Sequence, residues 1–443
     1  MTVPTKKARR RAIVIGAGIS GLAAAQALRE RNYDTHVLES CPSIGGLTRT
    51  VKIGDFCFDY TGHLLHLSRY GSPSGIPYAQ LCDKDWQRID RRSYCFVGAR
   101  LITAPIQYHL AELPPDMLRA CRVSYEARPN AASASDATFR DFIVNGFGAH
   151  LADVFLIPQN EKTMATPLDR LSQRAVKRFF PPPDDRLVLT GMTSGAPSPP
   201  GYNSQFWYPE RGGIDLLVEG LARGLDDCVW TLEEVVAVDL KARTVATRTG
   251  RRWTWDVLLP SMPLRKLCEA TGDRDLCEWA RELTHSATIC INLGLRGALP
   301  DRLRDAHWIY VPDRSIPFYR VGVYSNMSPG TCPPNCSSLY VELGVPAETL
   351  ASTNLATDLV PRALASLEGL GWVSGEAVMC SVVHVIRCAY VHHTPARELV
   401  FGNIVNRLAE HGVFPIGRYG LWDYISMEDS IHSAISTVQE KAP

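Results

Sequence analysis

The stretch Ala12-Ile13-Val14-Ile15-Gly16-Ala17-Gly18-Ile19-Ser20-Gly21-Leu22-Ala23-Ala24-Ala25 decides how the rest of the chain is read. A short β-branched run ends in glycines spaced Gly16-x-Gly18-x-x-Gly21, and an alanine-rich helical segment continues to Arg31. Thr35 to Glu39 has the composition of a second strand, so the order is strand, helix, strand, the opening of a parallel sheet. The first glycine permits the tight turn, the second lets a pyrophosphate approach the backbone, and the third lets the helix lie close on the sheet. Ser20 and the N–H groups of the helix start are the candidate phosphate contacts. Glu39, eighteen residues past Gly21, ends the second strand and suits bidentate bonding to a ribose diol. A glycine fingerprint alone also occurs in ligand-free turns. Here strand, helix, second strand and acid all fall where a dinucleotide requires them.

Working outward, the 443 residues carry 47 basic and 46 acidic side chains, a formal balance of +1. Apolar residues make up 45% and charged residues 21%, which excludes wholesale disorder. Near-neutrality gives no support to nucleic acid or an anionic membrane as partner. Thirteen cysteines, odd in number and scattered, read mostly as buried free thiols in a reducing compartment. Lys6, Lys7, Arg9, Arg10 and Arg11 before an apolar run imitate a targeting signal, but the glycines give that run a better use. The expectation is a cytoplasmic protein with a solvated basic tail and no membrane span. No metal site is expected: Cys332-Pro333-Pro334-Asn335-Cys336 lacks a second ligand pair, and His392-His393 reads as a polar loop.

Helical composition dominates from Ile106 to Arg178, broken by an Ala/Ser/Pro-rich patch at Pro129 to Ser135. Pro181-Pro182-Pro183 stops it, and Thr190 to Gly201 reads as a mobile loop. Val235 to Asp256 reads as two strands turning near Gly250, followed by the strand Val257 to Pro260. Alternating runs from Ala287 to Leu343 read as antiparallel strands, and Pro395 to Ala409 and Ser430 to Lys441 as helices. The fold class is α/β. The expected organisation is a discontinuous Rossmann-like cofactor domain (10–80, 205–265, 398–440), a helical cap (108–190) and an antiparallel sheet substrate domain (81–107, 266–397).

Further motifs extend the fingerprint. Ser43-Ile44-Gly45-Gly46-Leu47-Thr48 resembles the extended signature of the glutathione-reductase-type FAD superfamily, which includes amine oxidases, protoporphyrinogen oxidase and UDP-galactopyranose mutase. Tyr208-Pro209-Glu210-Arg211-Gly212-Gly213 resembles its Pro-x-x-Gly-Gly turn. Gly417-Arg418-Tyr419-Gly420 resembles the late motif that closes around the ribityl chain and pyrophosphate. Val236 stands where a backbone contact to adenine is expected. The resemblance implies FAD, bound by Gly16, Gly18, Ser20, Gly21, Glu39, Gly46, Leu47, Gly62, Val236, Gly417 and Arg418.

Within that superfamily the chain resembles the eukaryotic-type UDP-galactopyranose mutases over nearly its whole length. The resemblance is carried by Tyr60-Thr61-Gly62-His63, Thr138-Phe139-Arg140-Asp141-Phe142-Ile143-Val144 and Pro158-Gln159-Asn160-Glu161-Lys162. It continues in Trp308-Ile309-Tyr310, in Pro317-Phe318-Tyr319-Arg320 with Ser325-Asn326-Met327-Ser328-Pro329, and in Gly417 through Tyr424. It implies a mutase that interconverts pyranose and furanose forms of a nucleotide-linked sugar. The route implied is a reduced-flavin N5–sugar adduct, with NAD(P)H as the external reductant.

Arg178 and Arg320 match the family's diphosphate-binding arginines, where they would stabilise a departing anion. Without the resemblance, Arg178 reads as a cation at a helix C-terminus and Arg320 as an exposed strand arginine. By alternation Arg320 shares a face with Phe318 and Gly322, opposite Tyr319, Val321 and Val323. Trp308 and Tyr310 share one strand face, and a turn at Pro312 to Ser315 would fold them against Arg320; aromatic packing explains the pair as well. His63 matches the histidine beside the flavin. Tyr424 matches a diphosphate tyrosine, and Asn203, otherwise a turn former, matches a sugar contact. Ala104 and Met164 stand where the family walls the uracil with aromatics, leaving Gln107 and Asn160 as base or ribose contacts and the nucleotide or sugar open to change. A second diphosphate tyrosine reads as replaced near His392. The rival readings are an FAD-dependent amine oxidase or desaturase, and a degenerate FAD-binding protein without turnover. An oligomer is compatible with either.

Overall fold

The computed structural model describes residues 9–67, 85–129, 138–175, 183–194, 204–352, 354 and 358–442. The β-branched run forms the strand Arg11–Ile15, buried from Ala12 onward because it pairs in parallel on both sides, with Asp34–Leu38 and with Val257–Pro260. Val229–Trp230 adds beyond Asp34–Leu38, so segments far apart in the chain complete one four-stranded parallel sheet. The crossover is the helix Ile19–Glu30, whose buried alanines let its backbone approach both the sheet and the last helix, Met427–Lys441. Val235–Asp239, Thr244–Thr247 and Arg252–Thr254 form a small antiparallel sheet of three strands where two were expected. The extra turn lies between Asp239 and Thr244, at Arg243 with its positive φ of 51°.

A buried carboxylate joins the next hairpin to the Gly212-Gly213 turn. Asp59, at the end of the strand Phe56–Asp59, accepts from the Thr50 hydroxyl (2.7 Å), the Tyr208 hydroxyl (2.7 Å) and the Ile214 N–H (3.0 Å). A Cβ on Gly213 would sit 2.2 Å from Thr50 Oγ1, so glycine is required for this approach. Burial pushes the Asp59 carboxyl up to about 7, against those three hydrogen bonds. In the unfolded chain it titrates near about 4. Between these limits the folded protein holds a proton that the unfolded chain lacks. The resulting stability is fully present below about pH 4 and is lost as pH rises through about 7. Asp59→Asn removes this titration, so the melting temperature of the wild type minus that of the variant should fall steadily from pH 4 to pH 8. A difference that stays flat across that range would contradict the assignment.

The largest sheet has seven strands, in the order Val378–Ile386, Ser286–Arg296, Cys336–Pro346, Arg320–Val323, Trp308–Tyr310, Ser93–Val97, Arg100–Thr103. Period-two alternation gives it two unlike faces. Ile291, Val341, Val321 and Ile309 bury one face against the helix Val360–Gly369 and Trp372. The other face carries Cys290, Asn292, Glu342, Tyr340, Arg320, Gly322, Tyr310 and Trp308, in register across the strands.

A helical layer covers the end of that second face. It runs through Pro115–Glu126, Phe139–Phe147 and Ile157–Met164 to Asp185–Gly191, around a core including Phe139, Phe147, Leu151 and Leu156. The Thr138 motif is a capping box: the Thr138 hydroxyl accepts from the Asp141 N–H, and the Asp141 carboxylate accepts from the Thr138 N–H. A π-turn over Ala152–Leu156 precedes Pro158. Most of the Ala/Ser/Pro-rich patch, most of the 190–201 loop and the tail to residue 8 lie outside the described residues. Among the described residues no helix is long and apolar enough to cross a membrane, no His/Cys/Asp/Glu group could hold a metal, and all twelve cysteines are free.

Candidate active site

The glycine fingerprint forms a cradle. Gly16 has φ +97°, and a Cβ on Gly21 would fall 1.8 Å from the Gly16 carbonyl oxygen. No side chain caps the helix that starts at Ile19, and its first turn holds no acid, so its positive end faces the turn uncompensated by a side chain. The second glycine pair lies against the first: Gly45 N–H donates to Ala17 O (2.7 Å), and a Cβ on Gly46 would approach Gly18 Cα to 3.3 Å. Leu47 follows, half-buried. Glu39 is buried and accepts from the Ala17 N–H on Oε2 (2.8 Å) and from the Cys41 N–H (2.8 Å) and the Ser40 hydroxyl (3.2 Å) on Oε1. A carboxylate has about four acceptor sites, so about one is left for a ribose hydroxyl, and a second once the Ser40 hydroxyl turns away. A Cβ on Gly417 would meet Ser20 Oγ at 2.2 Å, so the late motif closes over the helix start. The cradle fits a dinucleotide.

From the cradle, the loop at Gly62 leads to the sheet. Gly62 N–H donates to Glu342 Oε1 (3.2 Å), and Glu342 holds Arg320 through Nε–Oε2 (2.7 Å) and Nη2–Oε1 (2.9 Å). Arg320 is thus no exposed strand arginine: its side chain is 19% exposed and that of Glu342 1%. Burial disfavours the Glu342 carboxylate, but the Arg320 guanidinium outweighs it and holds the carboxyl below its usual range. Tyr310 lies opposite Arg320, and Trp308 opposite Gly322, as the expected turn requires. Gly322 is fixed by Tyr340, whose ring a Cβ there would meet at 2.0 Å. The Tyr340 hydroxyl is buried without a partner among the described residues. Burial pushes the half-buried His63 down to about 4, Glu342 opposing and Arg418 and Arg320 reinforcing, so its imidazole is neutral at pH 7.

The expected alternation fails just before the strand. Phe318 packs into the apolar core near Trp372, and Tyr319 turns toward Tyr390 (ring centroids 6.5 Å). The strand begins only at Arg320, so Phe318 and Tyr319 belong to the turn and not to the pleat.

Arg418 forms the other wall. Its guanidinium lies 4.6 Å from the Tyr424 ring centroid and 5.3 Å from that of Tyr390, and donates to Ala389 O (2.9 Å). Its Nε is buried without a partner among the described residues. Tyr390 and Tyr424 are 5.4 Å apart and, with Tyr310, pack against the helical layer. Tyr390, two residues before His392, was not singled out in the sequence.

Other expected residues fall elsewhere. His392 is buried, not in a polar loop: its Nε2 bonds Met164 O (2.9 Å) and its Nδ1 the Thr284 hydroxyl (3.1 Å). Both ring nitrogens are committed, Nε2 to the helical layer and Nδ1 to the segment leading into the strand Ser286–Arg296, which leaves neither for a substrate. Val236 has a 43% exposed side chain and is skipped in the strand register, the mark of a bulge. Gln107 is buried in the short helix Ile106–Tyr108. Asn160 Nδ2 donates one bond to Leu156 O (2.7 Å). Arg178 and Asn203 lie outside the described residues. Glu342 went unnoticed, although an acid in the apolar run Leu339-Tyr340-Val341-Glu342-Leu343 demands a cationic partner.

Fold and site together define a Rossmann-like domain whose glycine cradle opens on a capped antiparallel sheet. The family model for an NAD(P)-binding Rossmann-like domain matches residues 14–75. Among solved structures, the fold is similar to that of a reduced UDP-galactopyranose mutase, at TM-score 0.90 and 24% identity over 98% of this chain and 94% of that one. It is also similar to a candidate protoporphyrinogen oxidase from Exiguobacterium sp. 255-15, at TM-score 0.76 and 14% identity over 98% and 99%. The cyclohexylamine oxidase of Brevibacterium oxydans IH-35A follows at TM-score 0.67 and 13% identity, over 98% and 99%. The resemblance read from the sequence is thus met at the level of fold.

Proposed function

We propose that the protein is an FAD-dependent mutase that interconverts six- and five-membered ring forms of a nucleotide-linked sugar. The observation that carries this reading is the buried Arg320–Glu342 pair, joined to the Gly62 loop of the cofactor cradle and flanked by Tyr310. FAD fits the residues present: Gly16, Gly18, Gly21 and Gly46 leave room for a pyrophosphate, Glu39 keeps an acceptor site for a ribose hydroxyl, and the Arg418 Nε–H awaits an acceptor. Bound and reduced beforehand by NAD(P)H, the flavin would supply a nucleophilic nitrogen to the anomeric carbon. Arg320 would neutralise the diphosphate as it leaves, with the Tyr310 and Tyr424 hydroxyls donating to its oxygens. Neutral His63 would hold the flavin edge by a hydrogen bond without adding charge. The helical layer would exclude water, which otherwise captures a sugar cation.

The test is anaerobic incubation of the dithionite-reduced holoenzyme with a panel of nucleotide sugars, followed by chromatography. Furanose product is the expected result. Turnover only with oxidised flavin and oxygen would instead establish an oxidase, and bound flavin without turnover on any substrate would establish a binding protein.

A further inference from the structure

The helix Ile157–Met164 grips the turn between Tyr310 and Arg320. Lys162 Nζ donates to three carbonyl oxygens of that turn: Val311 (2.6 Å), Asp313 (2.7 Å) and Phe318 (2.5 Å). An ammonium has three N–H donors, so all are used. Gln159 Nε2, one turn earlier on the same helix, donates to Tyr319 O (3.1 Å), the carbonyl directly before Arg320. The helix can lie this close because the sheet provides a glycine beneath it: a Cβ on Gly344 would sit 2.0 Å from Lys162 O. Burial pushes the Lys162 ammonium down to about 7, with Asp313 opposing, as expected for a cation satisfied by carbonyl dipoles and not by a bonded carboxylate.

We infer that Lys162, assisted by Gln159, is a positioning residue that sets the binding of a diphosphate anion by fixing the turn whose two ends are Tyr310 and Arg320. This rests on the proposed function, since it takes Tyr310 and Arg320 as the anion's contacts. Lys162 itself touches no ligand and acts through the backbone. The carbonyls it binds belong to the residue following Tyr310, the middle of the turn, and the second residue before Arg320. Tyr310 and Arg320 form the rung of their ladder that borders this turn; without the ammonium the three oxygens lose their common donor, the turn loosens, and that end rung frays while the rungs beyond it hold. The ladder that pairs Arg320 with Glu342 does not include Lys162, so the sheet itself persists.

The experiment uses the flavin-loaded full chain, with UDP as the probe. Lys162→Met is expected to speed amide hydrogen exchange across residues 311–319 by about tenfold or more, with the strand Ser286–Arg296 unchanged. It should weaken UDP binding by about tenfold while flavin content stays at the wild-type level. Lys162→Arg, which keeps a multi-donor cation, should recover part of both. Gln159→Leu removes one bond only and should shift both readouts in the same direction by less; it serves if Lys162→Met does not fold. Faster exchange with unchanged UDP affinity would overturn the inference, leaving Lys162 a purely structural clasp, and unchanged exchange would overturn it outright. If the wild-type protein binds neither UDP nor any other nucleoside diphosphate, it is the functional reading that fails, and exchange alone still decides whether Lys162 holds the turn.

Discussion

Replacing Arg320 with alanine is expected to lower turnover of a nucleotide-linked sugar by about 10²-fold or more, the scale of losing a preorganised group at a site of developing charge. The loss should fall on kcat more than on KM, because the diphosphate gains charge as the bond to the sugar breaks. Truncation also strands Glu342 as an unpaired buried carboxylate, which costs about 3–5 kcal/mol in stability and could mask the effect. The informative comparison is therefore with Arg320→Lys, which keeps a cation opposite Glu342 but loses the two-pronged fork that Nε and Nη2 now make. Turnover in the lysine variant should stay at least tenfold below wild type while its melting temperature recovers most of the drop. Wild-type turnover in both variants would remove Arg320 from the chemistry.

Gly21→Ala carries the second large effect. The added methyl would sit 1.8 Å from the Gly16 carbonyl oxygen, and the neighbour it meets is backbone, which cannot swing aside. Either the helix Ile19–Glu30 lifts from the sheet or the Gly16 turn deforms, and each moves the helix start away from the phosphates. Overpacking of this kind costs about 1–3 kcal/mol or more. The purified variant should retain less than about a tenth of the wild-type flavin absorbance per chain and melt several degrees lower. Wild-type flavin content at an unchanged melting temperature would contradict the proposed seat of the cofactor.

What the sequence made legible was local. The Gly16-x-Gly18-x-x-Gly21 turn, Glu39 and the Pro312–Ser315 reversal are each decided by residues within a few positions of one another, and all three appear where the reading put them. What escaped depends on partners that only the folded chain supplies. Glu342 needs the neighbouring strand to show that its side chain meets Arg320. His392 is satisfied by Thr284 and Met164, from two other parts of the chain. Phe318 and Tyr319 were assigned faces by extending the alternation backward, but the ladder begins only at Arg320, after both of them. The helical layer illustrates both limits: its capping box at Thr138 is a short-range signal, whereas its hold on the 311–319 turn through Lys162 is visible only in three dimensions.

The ion pair at the heart of the site has a bearing on what can compete for it. A guanidinium already clasped by a carboxylate offers a newcomer little unless that newcomer returns as much electrostatic energy as the rearrangement consumes. Uncharged sugars and alcohols therefore derive no advantage from Arg320, and rich multivalent oxyanions derive the most. An inhibitor campaign against this pocket would do well to begin from mimics of a pyrophosphate bridge, since hydrophobic fragments would be fighting a lock that is already closed.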